Sequence, residues 1–551
     1  MDIGNLKKQI FKISLVFIVL LSLFTCVYSI QHYNGSNTMG QNVQFNIQGF
    51  NNTTDINIPE NMPPSKERAN SNGNITMQNE NGQPREGKSN EQEKNGERRM
   101  QPGKFGENMQ KGAGNTKYLF GLSIYSISFL ILCFGLYYLF RRKKLEFDFK
   151  NEKILIMTLL LVGFLLRISA STLMDGYSGD INLFKNWAMT AANGLSTFYS
   201  SARQADYPPL YIYVLGLVGK IANITMLNSY YVLLLKIPAI AADVITAFII
   251  YKLAKNYLNS AISIFLAAFY IFNPAVFIDS TFWGQVDSFF TLLIFIATYL
   301  LHEKKYAFSS SMFAASILMK PQGIIFLPIL FFELVRQSKI KNFMFSALAA
   351  LVTILVIIIP FSINQQNPLW IVSLYTKTIS EYPYASVNAF NFFSLIGGNY
   401  KSYNTNLFIV NYHTLGMLFI VITTLIGWFV YIKGNNRKYV SAIALLQIAG
   451  VFTFSVGMHE RYLFPAVALA VLSYIYLKDK RFMILAIGFS ITSYINISTI
   501  LFNLKASIFN NLMGITSILN IVLVAYLLKV LLDNVVEKFS LKYKRIESEA
   551  I

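Results

Sequence analysis

The sequence predicts an all-α polytopic membrane protein, and three observations predict it. Hydrophobic residues make up 54% of the 551 positions and charged residues only 14%. The apolar residues gather into continuous runs of about 18 to 23, enough for a helix to cross a roughly 30 Å hydrocarbon core. Short basic patches punctuate the runs, at Lys7-Lys8, Arg141 to Lys144, Lys304-Lys305, Lys339 to Lys341, Arg437-Lys438, Lys478 to Arg481 and Lys542 to Arg545, which is the pattern of cytoplasmic loops. A transmembrane β-barrel needs only about ten alternating residues per strand. Here the runs are unbroken and rich in Leu, Ile and Phe, so helices satisfy the backbone.

Taken in order, residues 1–30 read as a transmembrane anchor. Phe11 to Ile30 has a basic flank like a signal peptide, but its apolar part is long and no small-residue cleavage site stands out. Residues 31–117 are rich in Asn, Gln, Gly and mixed charge. They hold too few large apolar side chains to offset chain entropy and read as a disordered extracytoplasmic tether. Its sequons at Asn34, Asn51, Asn52 and Asn74 follow from the abundance of Asn. Residues 118–144 return the chain inward through a second helix, Tyr118 to Phe140, to a basic cytoplasmic turn.

The body, residues 150–535, offers about twelve spans by length and hydropathy. They lie near 154–173, 231–252, 260–278, 286–301, 307–319, 321–335, 343–361, 412–432, 439–456, 462–476, 482–502 and 512–532. Counting Tyr211 to Ile221 as a further span would put Lys252 and Lys255 outside and invert each later basic patch, so that segment is expected as a helix along the outer interface. Residues 536–551 are left as a cytoplasmic tail.

The net charge of +19 invites a nucleic-acid reading. The basic residues sit between spans, however, and no solvated basic groove interleaves with aromatics. Membrane lipids are the expected partner and nucleic acid is not. Cys26 and Cys133, both inside apolar runs, supply neither a disulfide framework nor a metal-ligand spacing.

With this topology the unusual polar residues converge on outer loops, Asp175 to Tyr230, Asp279 to Asp287, Ser362 to Asn411 and the corner Gly457 to Arg461. In Gly179-Asp180-x6-Trp187, Asp180 could take a proton from a sugar hydroxyl as it attacks an activated carbon. It could equally cap the helix that starts there. Asp175 and Asp206 complete a three-acid loop suited to a polar substrate. Asp206-Tyr207-Pro208-Pro209-Leu210 fixes two φ angles and can hold aromatic rings at the membrane surface in one pose, or simply turn the chain.

In Asn273-Pro274 through Asp287-Ser288, Trp283 could stack on a sugar face while Gln285 and Asp287 bond its hydroxyls. The alternative is a belt Trp and a helix capped by Asp287. Lys236 and Asp243 share one helix face and are expected to pair with neighbours inside the bundle. His459-Glu460-Arg461 places charge at a span end, which costs a few kcal/mol per group unless compensated. A phosphate would compensate, with Arg461 as planar fork, His459 as further donor and Glu460 holding either, and an internal Glu–Arg pair remains open. Lys320 is a second phosphate candidate or a bundle ion-pair partner.

These pieces, with Ala242-Asp243, Lys320-Pro321-Gln322 and Tyr384 to Asn391 in the same order, resemble the GT-C superfamily of polyprenyl-phosphate-sugar glycosyltransferases. They are most similar to the dolichyl-phosphate-glucose glucosyltransferases of asparagine-linked glycosylation and to bacterial mannosyltransferases related to the second GPI mannosyltransferase. The resemblance covers roughly residues 150 to 535. It implies a GT-C-like bundle preceded by two extra helices, Asp180 as catalytic base, and His459 to Arg461 beside the donor phosphate. Trp187, Tyr384, Asn388 and Asn391 fall on matching motifs and become substrate-contact candidates. Eukaryotic relatives carry a His-containing triplet where this chain has Trp283-Gly284-Gln285, the variant of the bacterial branch.

The function expected from these residues is inverting transfer of a hexose, mannose or glucose, from a polyprenyl-phosphate carrier. The acceptor would be a lipid-linked glycan, a glycopolymer or a protein on the extracytoplasmic face. No cofactor is required, and a divalent metal is compatible but not demanded. A bacterial plasma membrane is expected, with the endoplasmic reticulum as alternative. A transporter or flippase of lipid-linked sugars would place sites at broken helices near the midplane. A lipid-linked polysaccharide polymerase or ligase would share the carrier.

Overall fold

The computed structural model describes residues 3–35, 116–143, 152–202 and 204–550. Nearly all of the expected tether therefore falls outside the described residues, as does part of the basic turn before the body. The described chain is mainly α-helical, with short 3-10 turns, a π turn, isolated bridges and a two-residue antiparallel pair, Asn406–Leu407 with Val410–Asn411.

The principal helices are α1 (Ile3–Gln31), α2 (Leu119–Lys143), α3 (Glu152–Ser171), α4 (Ser178–Asn193), α5 (Pro209–Ala222), α6 (Tyr231–Tyr257), α7 (Ser260–Ile271) and α8 (Asp287–His302). They continue as α9 (Tyr306–Ile317), α10 (Leu327–Gln337), α11 (Ile340–Ser362), α12 (Trp370–Ser380), α13 (Tyr412–Gly434), α14 (Val440–Phe454), α15 (Pro465–Leu477), α16 (Arg481–Leu501) and α17 (Ala506–Ala550). Among the described residues nine helices are long and apolar enough to cross a membrane. The protein is an integral membrane protein.

Burial sorts the helices into layers. Along α14 every side chain from Val440 to Thr453 is buried, and α15 is buried from Pro465 to Tyr476. Helices apolar all round belong either in a core or in lipid, and these two form the centre of the bundle with α8. Helix α11 is apolar all round as well, yet it exposes Met344, Leu348 and Val356 by more than half, the surface of a helix facing hydrocarbon.

Five of the twelve expected body spans, near 286–301, 307–319, 321–335, 439–456 and 462–476, form helices of 11 to 16 residues, shorter than the nine of membrane-crossing length, and two of the five meet at a proline break. Residues 307–319 and 321–335 form α9 and α10, of 12 and 11 residues, which at the helical rise reach only about 16 to 18 Å each. Pro321 is the physical reason. The residue before a proline is driven out of the helical region, and Lys320 sits at φ −145° and ψ 138° ahead of a short 3-10 turn, Pro321–Phe326. The break leaves Lys320 projecting from the gap between two helix ends.

The segment expected along the interface, Tyr211 to Ile221, lies within α5 and packs against α4. Contact there is intimate, since a Cβ on Gly219 would stand 2.1 Å from the Ala188 carbonyl oxygen. Inside the bundle, Lys236 of α6 donates to the carbonyls of Ser171 and Met174, and Asp243 pairs with Arg167 of α3 at 3.1 Å and accepts from Ser280 at 2.6 Å. The two α6 charges thus answer neighbours, each partner closing an otherwise unsatisfied intramembrane group.

Candidate active site

At one end of the bundle the loops before α4, before α5, between α7 and α8, after α12 and before α15 meet. Tyr177, extended at φ −73° and ψ 114°, is the N-cap of α4, and Asp180 sits in the first turn without a capping bond. The capping alternative for Asp180 is therefore overturned. Its carboxylate turns away from its own helix and accepts, on Oδ2, from the Trp283 indole N–H at 2.7 Å and the Gln285 amide at 2.7 Å.

The backbone that delivers those donors is irregular. After the short helix Pro274–Ile278, residues Asp279–Trp283 form a π-helical turn, and Gly284 closes it at φ +81°. Wide π turns often mark functional positions, and a Cβ on Gly284 would stand 2.9 Å from Ile181 in α4. The turn is clasped by Tyr177, whose N–H donates to the Trp283 carbonyl at 3.0 Å and whose ring stacks on Trp283 at 4.8 Å. The Gln285 carbonyl oxygen accepts from the Tyr207 hydroxyl at 3.3 Å and from its neighbour's N–H at 3.0 Å, fixing which end of the amide faces Asp180.

Arg461 is the hub. Its Nη1 pairs with Glu460 and lies 3.6 Å from Asp180 Oδ2, its Nε is 3.4 Å from Asp287 Oδ2, and its guanidinium sits 4.4 Å above the Trp283 ring. Asp287 also accepts from Lys320 Nζ at 2.5 Å, and Lys320 lies 5.6 Å from the Tyr207 ring. The reading of Asp287 as a helix cap does not hold either, since Val286 is the N-cap of α8 and no side chain caps it. The internal Glu460–Arg461 pair is present, but the same guanidinium reaches both aspartates.

His459 lies beside this cluster with its ring perpendicular to Tyr382 at 4.6 Å and 5.1 Å from Tyr462. Burial, reinforced by Arg461 and Lys320, pushes its imidazole down to about 3. That keeps the imidazole uncharged at neutral pH. Burial likewise raises Glu460 while Arg461 opposes the shift.

The remaining candidates divide. Asp206 stands at the edge of the cluster, its Oδ1 buried without a protein partner, and burial followed by the Glu381 charge pushes it up to about 7. Tyr207 contacts Gln285 directly. Trp187 is buried one layer behind, 5.2 Å from the Tyr207 ring. Asp175 points elsewhere, accepting from the Tyr33 hydroxyl at 3.0 Å.

Tyr384, Asn388 and Asn391 brace the corner that presents His459. The Tyr384 carbonyl accepts from the Gly457 N–H, and Val387 and Asn388 bridge to His459. Asn388, at φ +57°, donates to the Tyr400 hydroxyl. Asn391 caps Phe392–Leu395 and donates to the Phe452 and Ser455 carbonyls.

Three residues at the site were not singled out from the sequence: Tyr177, Tyr382 and Glu381. The signal for the last two was available, since Glu381-Tyr382-Pro383 repeats the acid–Tyr–Pro order of Asp206-Tyr207-Pro208. Among the described residues no group of three or more His, Cys, Asp or Glu side chains is arranged to hold a metal ion.

Acids, aromatic rings and two cations thus face one another in a partly exposed niche. Residues 206–363 match the family described as dolichyl-phosphate-mannose-protein mannosyltransferase. The likeness supports a membrane glycosyltransferase of the GT-C type, dependent on a polyprenyl-phosphate sugar donor. The matched stretch contains Asp206, Tyr207, Trp283, Gln285, Asp287 and Lys320, but neither Asp180 nor Arg461. Comparison with curated proteins gave no match.

Proposed function

We propose that the protein is an inverting hexosyltransferase that moves mannose from a polyprenyl monophosphate to an acceptor on the extracytoplasmic face, with Asp180 as general base. The observation that carries this reading is the placement of one carboxylate against a fixed cation, Asp180 Oδ2 at 3.6 Å from Arg461 Nη1, with Lys320 adjoining through Asp287. Trp283, Gln285 and Arg461 all approach Oδ2. Among the described residues none reaches Oδ1, which is the oxygen free to receive a proton.

In the reaction the acceptor oxygen attacks the anomeric carbon from the face opposite the phosphate. Its proton passes to Asp180 Oδ1, the bond from anomeric carbon to phosphate oxygen breaks, and the electron pair leaves on the polyprenyl phosphate. Arg461 and Lys320 stabilise that growing charge, a role in which positioned cations in a water-poor site are worth several kcal/mol. The family description favours mannose over glucose.

The donor's isoprenoid chain has a suitable neighbour. An apolar cavity of about 450 Å³ is lined by Ala314, Ile317, Leu318, Ile354 and Tyr375, among others, and Leu318 accepts a backbone hydrogen bond from Leu210 just before Lys320. The basic patches at the opposite ends of the helices favour the outer face for the site. A bacterial plasma membrane is the setting we favour, and the sequence 31–117 is read as a tether on that same side.

Purified protein in vesicles, supplied with polyprenyl-phosphate mannose or glucose and a lipid-linked glycan acceptor, tests the reading. The expected result is release of polyprenyl phosphate with the sugar moved to acceptor, faster from mannose. A donor that crosses the bilayer with its sugar–phosphate bond intact would instead identify a transporter.

A further inference from the structure

We propose that the first two helices form a clamp that holds the Asp180–Trp283 hydrogen bond from both sides, making Tyr118, Leu122 and Tyr33 positioning residues. The inference rests on the reading of Asp180 given above, and it concerns a part of the chain outside the matched stretch 206–363.

On the Trp283 side, α2 enters through a 3-10 turn, Thr116–Tyr118, and the Tyr118 ring lies 6.0 Å from Phe282. Leu122, 6% exposed, packs in one cluster with Phe277, Ile278, Phe282 and Trp283. Deeper along the helix, the Tyr125 hydroxyl donates to the Phe272 carbonyl at 2.6 Å and its ring meets Phe277 at 5.2 Å. This face of α2 therefore covers the back of the π-helical turn whose front carries the indole N–H.

On the Asp180 side, the chain leaving α1 places the Tyr33 hydroxyl 3.0 Å from Asp175 and its ring 6.3 Å from Tyr230. Asp175 lies in the loop that continues through Tyr177 to Asp180. Below it, Cys26 of α1 packs with Leu165 and Ile168 of α3 and Ile240 of α6. One added helix thus secures the donor of the hydrogen bond and the other secures the loop of its acceptor.

Such support has a physical reason. A π turn is rare and occurs mostly as a single irregular turn at a functional position, so packing around it is what would keep it in one shape. Reacting groups tolerate little displacement, about 1 Å costing up to about a hundredfold in rate. Neither Tyr118 nor Leu122 is bonded to Asp180, and each would act only through Phe282 and Trp283.

The test is a double-mutant cycle on the full-length purified protein, with Leu122→Ala and Trp283→Phe, singly and together. The expected result is a kcat about tenfold lower for Leu122→Ala with donor KM unchanged, and less than a twofold further loss when Trp283→Phe is already present. An equal loss in both backgrounds, no loss at all, or full activity in Trp283→Phe alone overturns the clamp. Tyr118→Ala serves the same cycle if Leu122→Ala does not fold.

Fluorine NMR of 5-fluorotryptophan protein supplies a readout independent of turnover. The Trp283 signal, assigned by its loss in Trp283→Phe, is expected to shift in Leu122→Ala and in Asp180→Asn, and an unmoved signal in Leu122→Ala counts against the clamp. If the wild-type protein transfers no sugar, the functional reading fails, while the fluorine result still decides whether the helices hold Trp283.

Discussion

Replacing Arg461 by lysine keeps one positive charge in the niche and removes its shape. The guanidinium simultaneously pairs with Glu460, lies 3.4 Å from Asp287 and 3.6 Å from Asp180, and covers Trp283 at 4.4 Å. An ammonium cannot satisfy that set from one point. The stacking on a largely desolvated ring is worth about 1 to 2 kcal/mol, and one lost charge-assisted contact about 1.5 to 3 kcal/mol. Because the contacts share partners they do not add fully, and about 3 kcal/mol is a fair sum.

At 1.36 kcal/mol per tenfold, that is about a hundredfold in kcat. The assay is release of labelled mannose from polyprenyl-phosphate mannose at saturating acceptor, with thermal unfolding as a check on folding. Arg461→Lys turning over within threefold of wild type would refute the claim that the planar cation stabilises the departing phosphate. Arg461→Ala is less informative. It strands the buried Glu460 without its cation, which costs about 3 to 5 kcal/mol of stability, while Asp287 keeps Lys320.

Further expectations follow from the same geometry. His459, neutral because burial and two cations push its imidazole down to about 3, contributes no charge, so His459→Gln should retain more activity than Arg461→Lys in that assay. The Asp206 carboxyl is pushed up to about 7, so the folded protein holds a proton there that the unfolded chain releases near its ordinary value of about 4. Stability associated with that proton is present at low pH and is lost as pH rises through the window from about 4 to 7. Asp206→Asn should accordingly raise the unfolding midpoint more at pH 8 than at pH 5. Asn391→Ala should lower stability by about 1 to 3 kcal/mol in chemical unfolding, since it leaves a fully buried helix start and two carbonyls unsatisfied.

Much of the architecture was legible because membrane helices announce themselves through length and composition. The points of divergence are local. Pro321 shows in the sequence, but hydropathy cannot say that the two helices beside it stop short of a full span and leave Lys320 buried between them against Asp287. Asp180 reads equally as a cap or as a base, because both need an acid at a helix start. What the sequence does not show is that Trp283 and Gln285, distant in the chain and expected to face a sugar, bond this carboxylate in place of a helix end.

The pairing of Asp243 with Arg167 was within reach, as two opposite charges inside apolar runs have few alternatives. What could not be read was the side of the site on which an acid falls. Asp175 and Asp206 flank Asp180 in sequence, yet Asp175 accepts from Tyr33 while Asp206 is buried with its Oδ1 unpartnered, a division set by helices packed from elsewhere in the chain.

The central claim is that one carboxylate oxygen takes the acceptor proton. Asp180→Asn preserves an oxygen to accept from Trp283 and Gln285 while removing the basic site. The account predicts that this variant, purified and folded, binds polyprenyl-phosphate mannose as the wild type does and transfers its sugar about 10² to 10⁴ times more slowly. Transfer at the wild-type rate would contradict it.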